Sequence, residues 1–416
     1  MKSGGPYSVF LSLARDEEGD QAALVLLKYT YRFDGRGGLF PAEPEPLYNH
    51  PVLEGFLKPG CDFWSFKLLT DVVVQGKAHA PAGRRVREME VSVRIGGFSK
   101  TVKVFGRRRV SYPRKGVLPK FSEPEPFESI DLTYENAYGG IDWRVRPEDE
   151  DSPVTQYRLL TDHPGFYPRN PFGRGYVVMP DHEDVDGMEL PNLEKPDDLL
   201  TPERLIVGDP HLWYRQPLPW CFDWLRAHVY PRCAFFGGAD AWFPAPYDEL
   251  PEVKLGYLPK GYRELFGDKL FETGPDPRFF NEASLGMALP LKGDETIILE
   301  GMSPEGTVAL TLPGLPAPIR IFVEGKEMKT RIRLHTVLVK AEEKKVSLLW
   351  GALAKTPRPF LPGIHKEIPI ECRIGNDPPI PYDAPPTILD KLKEGMQKRE
   401  GETKIPQIIP FPWEGR

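Results

Sequence analysis

Proline and glycine punctuate this chain almost from end to end. Its 416 residues include 47 prolines and 39 glycines, about one residue in five against roughly one in eight in average usage. They stand between apolar runs rather than in a single tract. That arrangement fits many short strands joined by turns better than it fits disorder. Apolar residues make up 40% of the chain, enough to bury a substantial core as two or three ordinary domains or one large β-rich unit.

The strand signal is sharpest in "RVREMEVSVRIGG" (85–97), where Val86, Met89, Val91, Val93 and Ile95 interleave with charged or polar residues. This is the period of two expected of antiparallel strands with one wet face. Segments 7–14 and 22–34 read as a hairpin across a charged turn. Further strands are expected within 71–81, 99–106, 295–302, 306–312, 318–325, 329–341 and 345–351, several joined by hairpin-like turns. Between 111 and 290 periodic runs are short, with predicted helices at 201–207, 219–230 and 261–267. The rest of that stretch reads as long loops, which in a compact protein usually carry a functional surface or their own packing. A last helix is predicted at 388–400.

The expected fold is therefore mainly β, an antiparallel sandwich- or barrel-like scaffold with long central loops and a few short helices. Four regions are expected: an N-terminal β region (1–110), a loop-rich centre (111–290), a C-terminal β region (291–354) and a proline-rich extension with one short helix (355–416).

The formal net charge of −6 argues against nucleic acid as the main partner. The basic run "GRRRVSYPRKG" (106–116) reads as a solvated loop in preference to a patch for a phosphate or an acidic partner. No apolar run is long enough to predict a membrane span, and the N-terminal apolar stretch is too brief for a signal peptide. Cysteines at 61, 221, 233 and 372 lack close pairing and fit reduced thiols in a cytoplasm.

Signals for chemistry fail one by one. "YPRNPFGRGYV" (167–177) has Gly173 and Gly175 but neither the Lys-Ser/Thr nor the following helix of a phosphate loop. His211, Cys221, His228 and Cys233 lack the close doublets of zinc modules. Aligned on Gly187, "DHEDVDG" places His182 and Leu193 where a calcium loop needs Asp and Glu. No nucleophile elbow or metalloprotease motif occurs. No catalytic residue, cofactor or metal is expected, and the chain does not read as an enzyme.

Three turn-rich stretches remain: "TYENAYGGIDW" (133–143), "YPRNPFGRGY" (167–176) and "LPNLEKPDD" (190–198). Gly139 and Gly140 tolerate positive φ, and the X-Pro bonds favour extended backbone. Two readings stand side by side. The stretches are internal loops whose Asn and Arg side chains satisfy backbone groups, or they line a recognition surface anchored by Tyr138, Phe172, Arg174 and Tyr176.

"ENAYGG" (135–140), "NPFGRGY" (170–176) and "LPNLE" (190–194), in that order, resemble the bacterial domain-of-unknown-function family 2169. The resemblance extends through 24–39, 58–81, 91–106, 276–283 and 335–353, and so covers about residues 7–353. Asn136, Tyr138, Phe172 and Tyr176 depart from the family pattern, which has Arg, Phe, Val and Phe there. The resemblance implies a cytoplasmic adaptor or chaperone of type VI secretion. Such a protein binds a PAAR-domain or effector protein and helps load it onto the VgrG spike, and no catalytic residues are established for the family. The partner-binding candidates are then Asn136, Tyr138, Gly139, Gly140, Asn170, Pro171, Phe172, Gly173, Arg174, Gly175, Tyr176, Asn192 and Glu194. Two rival readings are a carbohydrate-binding or glycan-modifying protein, with Trp64, Trp143, Trp213 and Trp242 along a groove, and a structural component of the secreted assembly.

Overall fold

A computed structural model describes residues 6–34, 37–48, 60–82, 84–145, 165–235, 250–254, 256–257, 276–365 and 367–383. The helices predicted at 261–267 and 388–400 lie outside these residues, as does Trp242.

The described chain is mainly β. A seven-stranded sheet runs in the order Tyr7–Arg15, Gln21–Phe33, Lys345–Lys355, Arg331–Lys340, Thr70–Gln75, Ala288–Leu289, with Leu39–Pro41 attached to Gln21–Phe33. The expected hairpin of the first two strands is present. Within this sheet Arg331–Lys340 departs from the antiparallel expectation, lying parallel to Thr70–Gln75 with Thr336 opposite Asp71 and Lys340 opposite Gln75. Parallel neighbours need a long crossover, and here almost the whole central sequence supplies it.

A five-stranded sheet runs Leu193–Glu194, Phe98–Phe105, Glu88–Ile95, Thr296–Glu300, Val308–Thr311. Its central hairpin pairs Glu88 with Phe105 through to Ile95 with Phe98, and the alternation read at 85–97 buries Val91, Val93 and Ile95. A four-stranded sheet joins Lys326–Glu327, Ile319–Val323, Ile370–Ile374 and Ile380–Pro381. The sheets are open, as in a sandwich-like scaffold, and none closes into a barrel among the described residues.

The regions read from composition do not correspond to these sheets. The five-stranded sheet draws on 1–110, 111–290 and 291–354 together. Strand Ile370–Ile374 of the expected extension pairs with Ile319–Val323 over five residues. Two compact units are distinguished among the described residues, one within 6–10, 26–316 and 332–352 and the other within 11–25, 317–331 and 353–383.

Strands Gln21–Phe33 and Lys345–Lys355 are buried along nearly their whole length, so their sequences do not alternate. Several charged groups enclosed near them are paired. Lys28 meets Asp62 at 2.9 Å and lies 3.7 Å over the Tyr48 ring. Lys67 meets Asp71 at 2.6 Å and Glu282 at 3.6 Å, and Arg232 meets Glu282 at 2.8 Å. Buried charges persist only with such partners.

The helix predicted at 219–230 does not form. Its backbone is committed elsewhere: Val74 N donates to Phe222 O, and Leu225 N donates to Glu282 O. Tertiary pairing overrides local propensity here. At 201–207 only a single 3-10 turn, Pro202–Arg204, appears, after which Ile206 bridges to Val177.

Candidate functional site

The three motif loops, separated in sequence, are tied into one knot. Tyr138–Gly139 pairs in parallel with Arg174–Gly175, and Ala137 bridges to Leu193. Gly140 N donates to Asn170 O at 2.8 Å, Tyr176 N to Gly139 O at 2.9 Å, Arg174 N to Ala137 O at 3.1 Å and Asn192 N to Asn136 O at 2.8 Å. Asn170 is the pin. Its Nδ2 donates to Tyr134 O at 2.7 Å and to Tyr138 O at 3.0 Å, and its Oδ1 accepts from Phe172 N at 3.3 Å. A side chain at Gly173 would bring Cβ to 2.4 Å from Ala137 O, so the close approach of the first two loops requires glycine there.

Beneath the knot lies an aromatic floor. Tyr138 meets Tyr167 edge-on at 5.2 Å, and Tyr167 meets Tyr176 at 4.9 Å. The hydroxyls of Tyr138 and Tyr167 donate to Gln216 Oε1 at 3.1 Å and Pro217 O at 2.7 Å. Burial pushes the Tyr167 phenol up to about 12. Arg169 is enclosed beside them, paired with Glu252 and donating to Tyr214 O at 3.1 Å and Gln216 O at 3.3 Å. Burial opposes the Arg169 charge, but the Glu252 carboxylate outweighs it and holds the guanidinium above its ordinary pKa.

Burial divides the candidate residues. Tyr138, Gly139, Gly140, Asn170, Pro171, Gly175, Tyr176, Asn192 and Glu194 are buried, whereas Asn136, Phe172, Gly173 and Arg174 are partly exposed. Tyr138 and Tyr176 are therefore not surface anchors, since their rings fill the core. Glu194 pairs with buried Arg108 and accepts from Leu200 N at 2.6 Å. This corrects the reading of 106–116 as a wholly solvated loop. Arg108 turns inward, 3.9 Å over the Phe105 ring, while Arg107 and Arg109 remain exposed. Phe172 is covered by Arg226, 3.7 Å over its ring.

Arg174 is one of the charged groups that the knot presents outward. Its Nε donates to Glu135 O at 3.1 Å, Nη1 to Glu189 at 3.0 Å and Nη2 to Asn136 Oδ1 at 3.0 Å. An arginine at position 136, as in the family pattern, would have no acceptor to offer it. Arg174 opens onto a cleft of about 600 Å³ that is also lined by Arg85, Arg107, Glu125, Glu128 and Glu189. The reading of the sequence missed Arg85, Glu125, Glu128 and Glu189, and met Arg107 only as part of the basic run 106–116. The alternation within "GRRRV" was the available signal for Arg107.

The model of a family described as uncharacterized proteins conserved in bacteria, domain of unknown function 2169, matches residues 18–351. The chain belongs to that family. All three motif loops and the cleft lie within the matched residues. No curated protein and no solved structure matches the chain.

The three described tryptophans of the carbohydrate reading sit in different settings. Trp213 is buried under Arg169, Trp64 packs against Phe279 and Phe280, and Trp143 is 63% exposed. Asp16, Glu18 and Asp20 come close enough to share a cation. Asp16 already accepts from Glu18 N and Asp20 N, and Lys355 pairs with Asp20. No helix among the described residues is long and apolar enough to cross a membrane.

Proposed function

We propose that the protein is a non-enzymatic cytoplasmic adaptor or chaperone of type VI secretion. In this reading it binds a PAAR-domain or effector protein and assists its loading onto the VgrG spike. The secretion context comes from the family resemblance. The observation that carries the binding role is the knot, which folds three distant loops into one braced unit and holds Arg174 at the mouth of an open cleft. A braced polar cleft loses little conformational freedom on gripping a partner, which is the physical advantage of preorganisation. Nine of the thirteen candidates then act by building the knot, and the partly exposed ones by touching the partner.

The test is co-expression with the PAAR-domain or effector protein encoded beside this chain, followed by size-exclusion chromatography with light scattering. Co-elution at a defined mass, with an otherwise insoluble effector kept in solution, is the expected result. Separate elution of two soluble proteins would overturn the adaptor reading, and a glycan-binding screen would follow.

A further inference from the structure

Glu189 sits among three guanidinium groups. Arg174 Nη1 lies 3.0 Å from its Oε2, and Arg107 Nε and Arg109 Nη2 lie 3.3 and 3.8 Å from its Oε1. One carboxylate cannot neutralise three cations. The Arg107 and Arg109 side chains are 54% and 51% exposed and that of Arg174 is 34% exposed. In a chain of net charge −6, this is a local excess of positive charge around Glu189.

The adjoining wall of the cleft is different. It is the extended segment 125–130, held by Glu125 N donating to Arg107 O and by mutual bonds between Phe127 and Val86. Its acidic side chains, Glu125 and Glu128, line the same space, and Glu128 already has Arg85 at 3.7 Å. Arg107 and Arg174 line the cleft and Arg109 adjoins it at Glu189, so guanidinium charge exceeds its one carboxylate there, while the segment 125–130 brings carboxylates of its own. A nucleic-acid backbone, with a charge at every phosphate, would be repelled by the second wall. A peptide can present carboxylates to one side and neutral side chains to the other, because successive residues of an extended chain point opposite ways. Guanidinium groups also match carboxylates in planar, two-point geometry.

We propose that this cleft is the docking site for an extended acidic segment of a protein partner. Its carboxylates meet Arg107 and Arg174 in the cleft and Arg109 at its edge beside Glu189, and the residues beside Glu125 and Glu128 are neutral or basic. The proposal deepens the adaptor reading and rests on it for the occupant being a protein.

The probe is a fluorescein-labelled peptide of alternating Glu and Thr, six residues long, titrated with the full chain and followed by anisotropy. The matching Gln-Thr peptide and a single-stranded thymidine hexanucleotide are titrated alongside. The Glu-Thr peptide is expected to bind, to weaken with added salt, and to weaken about ten-fold or more in the Arg107→Ala/Arg109→Ala double variant. Arg107→Lys/Arg109→Lys, which keeps the charge, is expected to retain most of the binding. Both side chains are exposed, so the melting temperature is expected to stay unchanged. Equal binding of the Gln peptide, undiminished binding by the alanine variant, or tighter binding of the oligonucleotide would overturn the proposal. The adaptor reading fails separately, if the wild-type chain and the neighbouring effector elute apart. If they co-elute and the alanine variant does so equally well, the adaptor stands and this cleft is not its grip.

Discussion

The carbonyl oxygen of Asn170 occupies the place where a side chain at Gly139 would begin, since a Cβ there would stand 2.0 Å from that oxygen. Gly139 also has φ at +151°, a region costly for any other residue. Gly139→Ala is therefore expected to lower stability by about 3 kcal/mol or more. Urea denaturation followed by tryptophan fluorescence measures it. A loss below about 1 kcal/mol would mean that the two loops can separate without disturbing the core.

The Arg108–Glu194 pair, buried between "GRRRV" and "LPNLE", makes a second test. Glu194→Ala leaves a buried guanidinium without its carboxylate and is expected to cost about 3–5 kcal/mol. Replacing both partners, as in Arg108→Met/Glu194→Met, removes the uncompensated charge and is expected to recover much of that loss. A double-mutant cycle in urea reads the coupling. Additive losses would show that the pair is not the unit holding these segments together.

Lys100 carries a pH prediction. Its Nζ is buried, bonded to Ser284 Oγ at 3.0 Å and Leu285 O at 2.8 Å, and lies 4.1 Å over the Trp220 ring. Burial pushes its pKa down to about 7, against about 10.4 in an unfolded chain. Between these values the unfolded state binds more protons, so stability from this group rises with pH from about 7 towards about 10.4. Below about 7 the lysine is charged in both states and its contribution is flat. Lys100→Met should remove this rise. The check is the difference in urea midpoint between wild type and variant at several pH values. A difference that does not change with pH would refute the assignment.

Arg174 separates binding from folding. It is partly exposed, and its pairing with Glu189 is screened by solvent, so Arg174→Ala is expected to cost no more than about 1 kcal/mol of stability. Its effect on co-elution with the partner should be much larger. If melting temperature and binding fall together, Arg174 is a brace of the knot rather than a contact.

Several features were legible before any coordinates. The alternation at 85–97 placed Val91, Val93 and Ile95 inside a sheet, and the charged turn after residue 14 closed a hairpin. The Gly139-Gly140 pair was readable as a turn that tolerates positive φ. Each depends on residues adjacent in the chain, whose spacing sets which way side chains point and which φ values are open.

What the tertiary structure alone decided concerns partners far apart in sequence. "GRRRV" reads as three equivalent cations, yet Arg108 goes inside because Glu194 waits there, while Arg107 and Arg109 stay in water. Tyr138 and Tyr176 resemble interface anchors until Tyr167 and Gln216 enclose them. The stretch 219–230 has helical composition, but its backbone groups pair with Val74 and Glu282. Burial and pairing energies depend on which surfaces meet, and local periodicity carries no information about that.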